Sequence, residues 1–116
     1  MREIGVAVTM DCEPTLATTH GSATGPKDFA MSERAILGYF EIAQSYGFPV
    51  TYFVHPETIL VQADLFKDLM TRGACIGLHI HPWKYSQWRY GGKRYMGHFG
   101  QFSYDEQVTL LTEAAL

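Results

Sequence analysis

Ile4-Gly-Val-Ala-Val-Thr-Met-Asp-Cys-Glu13 is an apolar run that stops at two carboxylates. Ile4 to Met10 reads as a buried strand, with Ile4, Val6, Val8 and Met10 on one face and Ala7 and Thr9 on the other. Residues two apart on a strand share a face. Asp11 and Glu13 therefore look into one space, while Cys12 alternates away into the core. The same kind of ending recurs in Cys75-Ile-Gly-Leu-His-Ile-His81, where His79 and His81 are also two apart. If the two strands run parallel, both pairs lie at the strand carboxyl ends, where α/β folds carry their sites. Carboxylates meeting imidazoles have the composition of a divalent-metal site with a general base beside it.

The chain around these pairs alternates strand and helix. A loop rich in Thr, Gly, Ser and Pro, with His20 inside it, runs from Asp11 to Ala30. Ser32 is expected to cap a helix from about Glu33 to Tyr46, with Ile36, Tyr39, Phe40 and Ala43 as its apolar stripe and Gly47 just past its end. Val50 to Val54 reads as a strand that His55-Pro56 terminates. A helical stretch from Ala63 to Met70 is closed by Gly73, and Cys75 to His79 is the third strand. A long loop follows, from Ile80 to Phe102. Ser103-Tyr-Asp-Glu106 is a capping box that opens a helix toward Leu116.

Strands alternating with helices imply parallel strands with right-handed crossovers. The expected fold is α/β, the N-terminal part of a (β/α) barrel of about three β-α units. A closed barrel of this kind takes about 250 residues. Residues 1–116 are thus expected to form a partial domain, truncated at its C-terminal side. Self-association is the alternative way to cover the open sheet edge. Alone, such a piece is expected to be marginally stable and nearly inactive.

The bulk numbers agree with a folded domain. Of 116 residues, 47% are apolar and 18% charged, which is globular rather than disordered composition. The formal net charge of −3 predicts no nucleic-acid and no anionic-membrane partner. A start that runs straight into a strand, with no long apolar span, predicts a cytoplasmic chain. Cys12 and Cys75 lie at opposite levels of their strands, about 13 Å apart at roughly 3.3 Å per residue. That exceeds the limit of about 7 Å for a disulfide, so both are expected to be reduced.

Three segments resemble the polysaccharide deacetylase (NodB-homology) family. Val8-Thr-Met-Asp-Cys-Glu-Pro14 looks like its opening motif, in the variant with one residue between the two acids. Phe48-Pro-Val-Thr-Tyr-Phe-Val54 looks like the strand after the first helix, and Gly73-Ala-Cys-Ile-Gly-Leu-His79 like the strand leading to the metal histidines. The family's histidine motif is His-x-x-x-His. Here Trp83 stands at the fourth place after His79, and His81 is offered instead.

The resemblance implies metal-dependent hydrolysis of a C–N amide bond, most simply N-deacetylation of an acetylated sugar. It makes Asp11 the catalytic base and Glu13 a metal ligand. His79 is the second ligand, and either His81 or His98 the third. Two imidazoles and a carboxylate suit Zn²⁺, and Fe, Mn, Co and Ni share that donor preference. Such an ion lowers the pKa of bound water and polarises the carbonyl. The long loop carries Trp83, Trp88 and Arg89, with Tyr85, Tyr90, Tyr95, Phe99 and Phe102. Rings and guanidinium groups of this kind can stack on a carbohydrate or other small substrate and hold an anion. The same rings could equally pack over the barrel mouth. Two other readings stand: an amidohydrolase-like metal enzyme using His-x-His, and a non-catalytic binding module of the same fold.

Overall fold

Val50-Thr-Tyr-Phe-Val54 is β-branched and aromatic throughout, and it forms the central strand of the protein. A computed structural model describes residues 2–16 and 25–115. Its three strands, β1 (Val8–Cys12), β2 (Val50–Val54) and β3 (Cys75–Leu78), make one parallel sheet in the order β1-β2-β3. The helices are α1 (Phe29–Ser45), α2 (Pro56–Val61), α3 (Ala63–Thr71), α4 (Pro82–Tyr90) and α5 (Tyr104–Ala115), with a 3-10 turn at Phe99–Gln101.

Alternation along the strands sorts the two sheet faces. Val50, Tyr52 and Val54 turn to one face together with Cys12, and all four are buried. Ile36, Phe40 and Ala43 of α1 and Phe66 and Leu69 of α3 complete this core. Tyr52 ties both helices to that face. Its hydroxyl donates to the Ile36 carbonyl at 2.9 Å, and its ring meets Phe66 edge-on at 6.2 Å. The opposite face carries Thr9, Asp11, Thr51, Phe53 and Gly77.

On that open face the Phe53 ring lies across Gly77. A Cβ on Gly77 would stand 2.8 Å from Phe53 Cδ1. Gly77→Ala is therefore expected to cost about 1–3 kcal/mol in urea unfolding, the usual range for overpacking. The loss should vanish in a Phe53→Ala background. An equal loss in both backgrounds would show that the ring is not the cause.

Several boundaries differ from the sequence reading. β1 begins at Val8 rather than Ile4, because its pairing with Val50–Val54 spans only Val8–Cys12. Ile4 and Val6 lie outside the ladder and are exposed. α1 starts earlier, capped by Asp28, whose carboxylate accepts the Met31 N–H at 2.7 Å. Ser32 is instead buried inside α1 and donates to Gln62 Oε1 at 2.9 Å. The helical stretch expected from Ala63 is preceded by a separate α2, which begins at Pro56. The expected loop from Ile80 to Phe102 contains α4, with Pro82 in its first turn and left-handed Gly91 at its end. Aromatic side chains all round this helix hide the apolar stripe that would have announced it. The Ser103 capping box is present, with the Ser103 N–H donating to Glu106 Oε2 at 2.8 Å. Both cysteines are free, and β2 lies between their strands.

Candidate metal centre

The parallel ladder continues one residue beyond each strand. The His55 N–H donates to the Cys12 carbonyl at 3.0 Å and the His79 N–H to the Val54 carbonyl at 3.1 Å. Glu13, His55 and His79 thus occupy the next row at the carboxyl end of the sheet. His81 follows two residues on, just before Pro82 opens α4.

Three of these side chains converge. His79 Nε2 lies 3.0 Å and His81 Nε2 2.9 Å from Glu13 Oε1, and the two nitrogens are 3.1 Å apart. They form the only group of three or more His, Cys, Asp or Glu side chains placed to hold a metal among the described residues. Two imidazole nitrogens and a carboxylate oxygen brought together in this way are a donor set that would suit a divalent transition-metal ion.

The second oxygen of Glu13 is held separately. Lys84 Nζ donates to Glu13 Oε2 at 2.7 Å, and the Lys84 side chain is only 3% exposed. Burial raises the proton affinity of the Glu13 carboxyl. The hydrogen bonds from Lys84 and His79, together with the charges of Lys84 and His81, outweigh it and leave its pKa below the ordinary value. Lys84 did not stand out in the sequence. Its signal was Pro82, which starts α4 and places Lys84 in the first helical turn, beside the strand mouth.

Asp11 stands at the far edge of the His79 ring, with Oδ2 3.9 Å from Nδ1. It lies outside the Glu13–His79–His81 group and its side chain is largely exposed. His55 is fully buried and caps α2, its Nδ1 accepting the Glu57 N–H at 3.3 Å. Burial pushes its pKa down to about 3. Glu13 opposes that shift, while Lys84, His79 and His81 reinforce it. Burial likewise pushes the Cys12 thiol up to about 12, helped by the charges of Asp11 and Glu13. A thiol held protonated in this way is a packing group rather than a ligand.

The remaining candidates lie elsewhere. His98 shares an open cleft with Trp83, Met96 and Gln101. That cleft borders the centre, since Lys84 Nζ is 5.6 Å from the Trp83 ring centroid. Trp88 and Arg89 line a different groove, with Pro56 and Ile59 of α2 and Glu113 of α5. Tyr85, Trp88, Tyr90, Tyr95 and Phe102 pack largely on one another, and the Arg94 guanidinium lies 4.8 Å from both the Tyr90 and Tyr95 rings. His20 lies outside the described residues.

Fold and site together define a mixed α/β architecture of three parallel strands with a Glu-His-His cluster at the strand carboxyl ends. The chain matches no protein-family model, no curated protein and no solved structure. Among the described residues, no helix is long and apolar enough to cross a membrane.

Proposed function

We propose that this chain carries the metal centre of a hydrolase of C–N amide bonds, acting on an acetylated sugar or a related small amide. One observation carries the reading: Glu13 Oε1, His79 Nε2 and His81 Nε2 lie within 2.9–3.1 Å of one another. Hydrogen bonds alone serve this triangle poorly. If both imidazoles aimed Nε2–H at the one oxygen, two hydrogens would crowd the same space. With both Nε2 atoms unprotonated, the two imidazole nitrogens and Glu13 Oε1 would give a divalent cation three donors at one place. Zn²⁺ is the proposed ion, and the same donor types also suit Fe, Mn, Co or Ni.

The fold supports the same reading. Helices α1 and α3 share one sheet face, and the open face carries the acids and histidines at its carboxyl end. That disposition supports the proposal of a (β/α) barrel segment. When bound, the ion would polarise the amide carbonyl and acidify water. The protein's own groups do the rest. Glu13, His79 and His81 fix the ion's position. Asp11, whose Oδ2 stands 3.9 Å from His79 Nδ1 on the outer side of the ring, is the proposed proton acceptor. Trp83 and His98 offer the neighbouring cleft to the substrate.

A second reading has an observation of its own. Lys84 already neutralises Glu13, as it would in a metal-free binding module of the same fold. The amidohydrolase reading is weaker, because its His-x-His pair belongs on the first strand and here it ends β3. Metal analysis after equilibration with Zn²⁺ or Co²⁺ separates the three. One ion per chain is the expected result for a deacetylase-type centre. Two ions would favour the amidohydrolase, and none the binding module.

A further inference from the structure

Lys84 is the most unusual side chain in the protein: a lysine almost wholly buried, ion-paired to one arm of a carboxylate whose other arm faces two histidines. Lysine is rarely buried without a purpose for its charge. Its backbone belongs to the first turn of α4, so Pro82 and the strand end below it fix where the ammonium stands. Glu13 is therefore divided. Oε2 is capped by the 2.7 Å bond from Lys84, and only Oε1 is presented to His79 and His81.

We infer that Lys84 is a positioning residue that holds Glu13 as a one-oxygen ligand. This inference rests on the metal reading given above. A carboxylate free to rotate could chelate an ion through both oxygens, occupying a coordination place that water or an amide carbonyl needs. With Oε2 fixed to Lys84, Glu13 would offer a bound ion one oxygen and leave a coordination place to water or an amide carbonyl. Outer partners of this type orient metal ligands, and their loss commonly costs 10–100-fold in affinity.

A purely electrostatic role for Lys84 makes the opposite prediction. An ammonium beside a metal site repels the cation, so removing it should tighten binding. Co²⁺ titration followed by visible absorption distinguishes the two on the intact chain. Lys84→Met, apolar and similar in length, should bind Co²⁺ about 10- to 100-fold more weakly than wild type. Its bound-Co²⁺ spectrum should also change, because Glu13 is no longer held in one orientation. Lys84→Gln, uncharged but still able to donate, should recover part of the affinity and the wild-type spectrum. If Lys84→Met does not fold, Lys84→Leu is read in the same way.

Equal or tighter Co²⁺ binding by the apolar variant, or an unchanged spectrum, overturns the role of Lys84 alone. A wild-type chain that takes up no Co²⁺ overturns the metal reading, and this inference with it.

Discussion

His79→Ala and Glu13→Gln are each expected to abolish stoichiometric metal binding. His79→Ala removes one donor atom from a three-atom set whose members lie 2.9–3.1 Å apart, and Glu13→Gln replaces its only anionic donor with a weak neutral amide oxygen. The loss should exceed the roughly 10–100-fold typical of outer-shell partners. His81→Ala should behave like His79→Ala. His98→Ala should keep its metal, because His98 sits in the Trp83 cleft and outside the cluster. Metal content of the dialysed variants reads this directly. If His81→Ala keeps its metal and His98→Ala loses it, the third ligand is reversed. If Glu13→Gln, His79→Ala and His81→Ala all retain full content, no metal centre exists here.

Acid is the second lever with a large expected effect. His55 is fully buried, and its pKa is pushed down to about 3. In the unfolded chain it titrates near 6.5. Between those values the unfolded state binds a proton that the folded state refuses, so stability falls as pH falls. The slope from this one group is at most about 1.4 kcal/mol per pH unit. Glu13, whose folded pKa is lowered, contributes stability that is lost only as pH drops below its ordinary value of 4.5. The interval from pH 6.5 to 4.5 therefore precedes the Glu13 contribution. His55→Asn should keep the cap on α2, since Asn is a strong N-cap residue. It should also flatten the pH dependence in that interval. Urea unfolding of both proteins at pH 7, 5.5 and 4.5 is the measurement. Parallel curves would show that His55 does not drive the acid response.

The elements written as local patterns were legible in the sequence. Val50–Val54 announced itself by β-branched and aromatic content, and Gly47 and Gly73 by the positive φ that the chain needs after α1 and α3. The Ser103–Glu106 box spans only four residues, so its hydrogen bonds follow from sequence spacing. α4 was missed because its aromatics surround the helix, leaving only Pro82 and Gly91 to mark it. β1 was placed too early because an apolar run shows where a strand is tolerated, whereas pairing with β2 decides which residues it uses.

Sequence by itself determined which residues share a face: Asp11 with Glu13, Phe53 with His55, and His79 with His81. That follows from the two-residue period of an extended chain, which needs no partner. It also determined that the sheet is parallel, because each pair of strands is joined through helix. Only the tertiary structure decided which groups meet. Glu13 and His79 are 66 residues apart, and Glu13 and Lys84 are 71 apart. Their approach depends on the register of β1, β2 and β3 and on the direction in which α4 leaves β3. The choice of His81 over His98, and the capture of one Glu13 oxygen by Lys84, follow from that packing. A local pattern can orient a side chain, but it cannot bring it within 3 Å of a group that the chain reaches only by folding.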